Sequence, residues 1–421
     1  MLKITVKDFS CIKKAELTLS ELTVLIGPQA SGKSVLSKLV FFFISETLGQ
    51  YDKIIDNKSF DDFTEYLKSR FADWFPVPAW GDKVFKIDFQ MSDYRIRFTR
   101  TSYETSVRDN LRISTSAVVK EHYRESQESL KALRARIATK KKASSEFDFR
   151  EFELSWELRE TSRRVLAKRL GKDFVALQTF IPAGRSFFTT LGRAVVAFDQ
   201  GKQLDPVTVQ FGRMFAAMQD ARMRFIYHTD EPSSEVAREL AEMLGGKIIW
   251  RDDQALFECS DGRSMPLSAL SSGQQELLPL VNVISSMNNE IQPGGLVYIE
   301  EPEAHLFPSS QSKLIQVLAC ITRGTRLLLT THSPYVLAKI NNLIKAGQLE
   351  KSLPSNKKAK LQAIVPSKYR LQPGAVSAYA ICDGELVNLI DEDGLIGADY
   401  LDSISSDISM EFSKMLELEY T

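Results

Sequence analysis

Residues 27–34 read Gly27-Pro28-Gln29-Ala30-Ser31-Gly32-Lys33-Ser34, which satisfies the phosphate-loop pattern G-x-x-x-x-G-K-S/T at every fixed position. Gly27 and Gly32 permit backbone conformations closed to other residues, so successive N–H groups can turn inward around an anion. A helix starting here aims its positive end at the same anion. Lys33 is placed to reach the β and γ oxygens of a triphosphate. Ser34 offers the hard oxygen that Mg2+ prefers. ATP and Mg2+ are therefore the expected ligands.

A second constellation lies far along the chain. Leu296-Val297-Tyr298-Ile299 runs straight into Glu300-Glu301-Pro302. In open α/β sheets ligands gather at the carboxyl ends of strands, so two carboxylates there suit a metal and a water. Glu300 would hold the Mg2+ shell, through water, and Glu301 would polarise the attacking water. The plainer reading is an exposed acidic turn.

These residues need elements to hold them. Alternating strands are expected at Leu2–Phe9 and Ala15–Leu19, a buried strand at Leu22–Ile26, a helix through Val35–Phe43, and a hairpin of Val84–Phe89 with Tyr94–Phe98. From about 105 to 173 glycine and proline are absent until Gly171 and charges are dense. Apolar residues recur at helical spacing there (Leu130, Leu133, Ile137; Phe152, Trp156, Leu166, Leu170), which predicts two helices turning near Ala143–Phe147. Beyond 174, strands at Phe174–Ile181, Lys247–Arg251, Ala255–Cys259, Leu296–Ile299 and Arg326–Thr330 alternate with helices at Val283–Met287 and Leu314–Ile321. That alternation argues for an α/β sheet. The division expected is 1–104, an ATPase lobe with the phosphate loop; 105–173, a helical insertion; and 174–421, a second lobe.

Bulk composition narrows the class. The 421 residues carry 54 lysines and arginines against 54 aspartates and glutamates, so no global field draws the chain to nucleic acid or membrane. Cys11, Cys259, Cys320 and Cys382 form no metal-like spacing and read as free thiols. No signal peptide is visible, and the longest apolar stretch, around Leu39 to Ile44, is too short to span a bilayer. A cytoplasmic location is expected.

Residues 270–275 read Leu270-Ser271-Ser272-Gly273-Gln274-Gln275, and residues 329–334 read Leu329-Thr330-Thr331-His332-Ser333-Pro334. With the phosphate loop and acidic strand end, these segments resemble the ABC ATPase superfamily, whose signature is Leu-Ser-Gly-Gly-Gln. Ser272 replaces the first glycine of that pair, and Glu300 replaces the commoner aspartate. The resemblance implies that Ser271, Ser272 and Gly273 meet the γ-phosphate bound to a partner copy, though a simple helix N-cap is the alternative. It further implies that His332 is the switch histidine that bonds the γ-phosphate and holds the attacking water. His305 falls where that family's dimer-contacting loop lies.

Phe9-Ser10-Cys11-Ile12, the 26–34 loop, Glu300 to Leu306 and Thr331 to Pro334 together resemble bacterial ATPases of the SMC and OLD kind, which are not transporter subunits. The fold so implied is an ABC-type P-loop ATPase head with a mixed sheet and an inserted helical hairpin. Its implied function is an ATP-hydrolysing switch that forms a homodimer around ATP, in DNA-related processes or anti-phage defence, with a separate nuclease-like or toxin-like effector. The alternative is a nucleotide-gated scaffold with little or no turnover. Asp391-Glu392-Asp393 looks superficially like a Toprim acidic pair, but the tail is too short for that fold, which favours a surface turn.

Three further features stay open at this stage. Gln178 is a candidate nucleotide-sensing glutamine or a strand-surface residue. Arg185 is a phosphate or DNA contact, or a salt bridge. Lys131, Arg134, Arg136, Lys140, Lys141 and Lys142 form a run that either meets DNA phosphates or is a solvated helix face.

Overall fold

The computed structural model describes residues 1–101, 110–139, 147–191, 204–218, 235–251, 254–287 and 294–397, with residues 410, 411, 413 and 415. The chain opens with β1 (Leu2–Phe9), β2 (Ile12–Thr18) and β3 (Leu22–Ile26), followed by α1 (Lys33–Ile55) and α2 (Phe60–Trp74). Next come β4 (Lys86–Met91), β5 (Tyr94–Arg100) and β6 (Leu111–Thr115), then the long helices α3 (Ala117–Thr139) and α4 (Phe147–Leu170). β7 (Leu177–Ile181) leads to α5 (Ser186–Leu191), α6 (Pro206–Met218) and α7 (Glu235–Leu244). A small antiparallel sheet of β8 (Gly246–Arg251), β9 (Gln254–Cys259) and β10 (Ser264–Pro266) precedes α8 (Ser272–Met287). The remainder is β11 (Gly295–Glu300), α9 (Pro308–Ile321), β12 (Thr325–Thr331), α10 (Pro334–Ser352), α11 (Ser355–Ile364), β13 (Val376–Cys382) and β14 (Glu385–Asn388).

Eleven strands form one sheet in the order β6-β5-β4-β1-β2-β14-β13-β3-β12-β11-β7. The half from β6 to β2 is antiparallel, whereas β13, β3, β12, β11 and β7 run parallel. This is the mixed α/β sheet expected from the alternation of elements. The central parallel strands β3 and β11 are buried on both faces, which is why they read as mainly apolar runs. Residues of the parallel strands alternate between two cores. Leu25, Leu296, Tyr298 and Leu328 pack with α1 and the aromatic residues of α2 on one side. Val24, Val297, Ile299, Leu327 and Leu329 pack with α8, α9 and α10 on the other.

Several local readings are revised. β6 lies within the stretch read as helical and joins the sheet edge. Phe152 and Trp156, placed by periodicity on the buried stripe of α4, are 70% and 60% exposed. The buried stripe instead runs through Leu154, Leu158, Ser162, Leu166 and Leu170. The tail after residue 345 supplies β13, which inserts beside β3. The turn expected near Ala143–Phe147 falls mostly outside the described residues. So do Lys140, Lys141 and Lys142 of the basic run. Of its other members, Lys131 is exposed, Arg134 donates to Asn57 and to the Ile55 carbonyl, and Arg136 pairs with Glu157.

The helical pair packs on the helix that starts at the phosphate loop. There His122 of α3 is buried, with its Nε2 2.9 Å from the Tyr51 hydroxyl of α1. Burial pushes the Tyr51 phenol up, so it keeps its proton. Burial, and secondarily the charge of Arg169, pushes His122 down to about 4. The imidazole is neutral in the folded chain and protonates near pH 6.5 when unfolded. Its contribution to stability is therefore fully present above about pH 6.5 and lost as the pH falls toward 4, amounting to about 3 kcal/mol. Urea unfolding at pH 7 and pH 4.5 checks this. His122→Asn should flatten that part of the pH dependence.

Candidate nucleotide site

The parallel register assembles the site. Ile26 pairs with Thr331, Thr330 with Glu300, and Ile299 with Ile181. The carboxyl ends of β3, β12, β11 and β7 therefore share one edge, and residues 27–34, 300–305, 332 and 182–185 all leave from it.

The loop after β3 is narrow and tightly backed. Gly32 sits at φ 107, and Ala30 at φ 59, both in the left-handed region. A Cβ on Gly32 would lie 2.9 Å from Cys11 Sγ and 3.1 Å from Ile12 Cγ1. Gly32→Ala is thus both strained and crowded, and should destabilise the chain by about 1–3 kcal/mol. Nucleotide affinity should fall with it. Adding Cys11→Ala should relieve the crowding but not the strain, so recovery in a thermal melt should be partial.

Lys33 is buried, and its Nζ donates to the carbonyls of Gly27 and Pro28, each at 2.8 Å. Burial lowers its pKa, while the nearby charges of Glu301, Glu303 and Glu300 raise it. One lysine and three carboxylates from separate segments thus sense each other electrostatically. Pro28, Gln29 and Ala30 are exposed, as is Ser34, so the outer face of the loop and the Ser34 hydroxyl are reachable.

At the end of β11, Glu300 is buried; its Oε2 accepts from the Ala183 N–H at 3.3 Å, and its Oε1 has no partner among the described residues. Glu301 adopts φ 45, uncommon for a residue with a side chain. Its N–H donates to the Thr330 carbonyl at 2.9 Å, and its Oε1 lies 3.1 Å from His332 Nε2. Glu301 and His332, distant in sequence, are therefore in direct contact.

Two further buried carboxylates brace the backbone around this edge. Glu303 is buried and accepts from the Thr331 hydroxyl and from the His332 N–H. It thereby clips the turn after β11 to the end of β12. Glu276, buried on α8, accepts from the N–H groups of Arg185 and Ser186 at 3.0 and 3.1 Å. The only sequence signal for either was its position within or beside a motif.

The 270–275 segment begins a helix. Ser271 and Gln274 form a reciprocal cap: Ser271 N–H and Oγ donate to Gln274 Oε1, and Gln274 N–H donates back to Ser271 Oγ. The helix-cap reading thus describes its internal geometry. Ser271 and Ser272 remain exposed, while Gly273 packs against the acidic turn, where a Cβ would stand a tight 3.0 Å from the His305 carbonyl.

Gln178 is not at this edge: it pairs with Leu296 near the start of β11. Its amide donates to the Phe41 carbonyl and Ser45 Oγ, and its Oε1 accepts from the Tyr298 hydroxyl. With both ends engaged below the strand ends, it is a packing residue and the nucleotide-sensing assignment is withdrawn. Arg185 is fully buried and bonded internally, so it is not a surface phosphate or DNA contact. Asp391-Glu392-Asp393 forms a surface turn, in which Asp391 accepts from the Leu395 N–H and donates its own to the Leu395 carbonyl. No cluster of three or more metal-ligating side chains occurs among the described residues.

The donor set suits magnesium and a triphosphate. Glu300 Oε1 and Ser31 Oγ are buried polar atoms without partners among the described residues, and such atoms ordinarily find one. Carboxylate and hydroxyl oxygens are hard ligands, appropriate to Mg2+.

A Retron Vc95 probable ATPase of Vibrio cholerae serotype O1 biovar El Tor is 30% identical over 90 residues, which is 20% of this chain and 18% of that relative. The match thus spans under a fifth of the relative's length. Among solved structures, an Smc head bound to the C-winged helix domain of ScpA aligns over 93% of this chain and 98% of its own, at 14% identity and TM-score 0.42. The SMC head domain from Thermotoga maritima aligns over 92% and 97%, at 12% identity and TM-score 0.35. The ADP conformation of MJ1267, an ATP-binding cassette of an ABC transporter, aligns over 97% and 99%, at 11% identity and TM-score 0.35. The family model described as "AAA domain, putative AbiEii toxin, Type IV TA system" matches residues 22–338, from β3 through the site and into α10. The chain belongs to this AAA-domain family.

Proposed function

We propose that this chain binds Mg-ATP at the 27–34 loop and hydrolyses it within a pair of copies, acting as a switch for a separate effector protein. The observation that carries the reading is the Glu301–His332 contact of 3.1 Å, beside a lysine whose charge is felt by the same acidic group. In this reading Glu301 takes the proton of the attacking water and His332 holds the water and the terminal phosphate. Lys33 leaves the Gly27 and Pro28 carbonyls for the β and γ oxygens. The amides of residues 27–34 cradle the anion. Ser34 and Glu300 would hold magnesium, which would neutralise phosphate charge. Ser271, Ser272 and Gly273 of a second copy close the other side.

The family description, and the naming of a retron ATPase among the relatives, support a place in anti-phage defence with a toxin-like or nuclease-like partner. The helical pair α3–α4, docked on α1, is the element that would carry the nucleotide state outward. Among the described residues no helix is long and apolar enough to cross a membrane.

Phosphate release and ATP binding measured with and without Mg2+ test the reading. Saturable, chelator-sensitive release is expected. Binding without release, with every partner supplied, would favour the nucleotide-gated scaffold. Indifference to adenine nucleotides would remove both.

A further inference from the structure

Arg185 is among the largest wholly buried side chains of the protein, and the roles assigned above do not use it. It follows β7, in the turn Pro182-Ala183-Gly184-Arg185. Its guanidinium spans three segments. Nε donates to the Glu276 carbonyl at 3.0 Å and lies 3.4 Å from Glu276 Oε2 on α8. Nη1 donates to the Glu300 carbonyl at 2.6 Å and to the Pro182 carbonyl at 3.2 Å. Nη2 donates to the Glu301 carbonyl at 2.9 Å. Glu276 returns the contact through both carboxylate oxygens, which accept from the Arg185 and Ser186 N–H groups.

A buried ion pair is a poor route to stability alone, since desolvation offsets much of the attraction. Its geometry here serves something else. A planar guanidinium presents several donors in a fixed fork. One side of this fork grips α8, just inside the Ser271–Gln274 cap; the other grips the carbonyls of the two successive acidic residues. Glu301, held at φ 45, is a conformation that persists only where its surroundings impose it.

We propose that Arg185, with Glu276, is a positioning strut that ties the signature helix α8 to the Glu301 turn of the same chain. The inference rests on the reading given under Proposed function. A copy whose Ser271 end closes on its neighbour's triphosphate thereby orders its own Glu301 opposite its own His332. The occupancy of one pocket is relayed to the catalytic turn of the other. Arg185 touches neither nucleotide nor water, so it acts through Glu301.

The test uses the full chain. Arg185→Lys keeps a positive charge beside Glu276 but loses the fork, and Glu276→Gln alters the strut from the α8 side. Amide exchange is followed at Glu301, Ala304 and Leu306, whose N–H groups donate to Thr330, Glu301 and Glu303 carbonyls. Both variants leave buried groups unpaired and should lower the melting temperature, but exchange at these three amides should speed by about tenfold or more beyond any change in β11 and β12. The turnover number should fall about 10–100-fold, with KM for ATP changed less than about threefold. If Arg185→Lys does not fold, Glu276→Gln carries the same comparison.

Unchanged exchange at the three amides in either folded variant overturns the strut. So does a turnover loss matched by an equal loss of ATP affinity, or exchange that rises throughout the sheet, which marks a general structural role. Wild-type protein that binds no ATP would sink the proposed function, while the exchange measurement still decides the strut.

Discussion

Glu301→Gln should lower the rate of phosphate release by about 100–10,000-fold while ATP stays bound, the range expected when a positioned general base is removed. Glutamine has nearly the same size and can still meet His332, which stands 3.1 Å from the native carboxylate. The turn itself is held through main-chain groups: the Glu301 N–H bonds the Thr330 carbonyl and its own carbonyl accepts from Arg185. The substitution therefore removes basicity and leaves the framework. Single-turnover release measures the first part. Light scattering after gel filtration measures the second, in which ATP should hold the variant as a dimer that wild type forms only transiently. Release within a few-fold of wild type would remove Glu301 from the chemistry.

Lys33→Met should separate binding from stability. The ammonium is buried, and burial disfavours its charge; its two partners are carbonyls of its own loop. Methionine fills similar space without a charge to desolvate, so the melting temperature without nucleotide should stay level or rise slightly. Charge-assisted hydrogen bonds are worth about 1.5–3 kcal/mol, so ATP affinity should fall roughly 10–150-fold. The thermal stabilisation that saturating ATP confers on wild type should shrink accordingly. A variant that keeps wild-type affinity would place the triphosphate elsewhere.

The legible parts of this chain share a cause. β3, the phosphate loop and the start of α1 are contiguous, and the loop's chemistry fixes residue types at set spacing. β11 and β12 are buried on both faces, so their runs could scarcely be read as anything else. The less legible parts depend on what packs against them. On α4, Phe152 and Trp156 are spaced four apart, and so are Leu154 and Leu158; periodicity offers two stripes, and the packing against α1 and α3 selected the second. β13 is a short apolar run whose place between β14 and β3 is a tertiary fact, closing a sheet between strands hundreds of residues apart in sequence.

The site shows the same division. Lys33, Glu300, Glu301 and His332 stand out because they end recognisable elements. Glu303 and Glu276 do not, because their importance lies in burial and in backbone groups they satisfy. Gln178 was misplaced for want of register: its strand reaches the site edge, but three residues further on, at Ile181.

The central claim is a triphosphate pocket shared between two copies, and cross-linking tests it most directly. In a background with Cys11→Ser and Cys382→Ser, which removes the exposed native thiols, Gln29→Cys is placed in one tagged population and Ala269→Cys, beside the Ser271 cap, in another. Both positions are exposed. The account predicts that a short bis-maleimide joins the two populations when Mg-ATP is present, most completely when both carry Glu301→Gln, and not in its absence. ATP bound at full occupancy with no intermolecular product would contradict it.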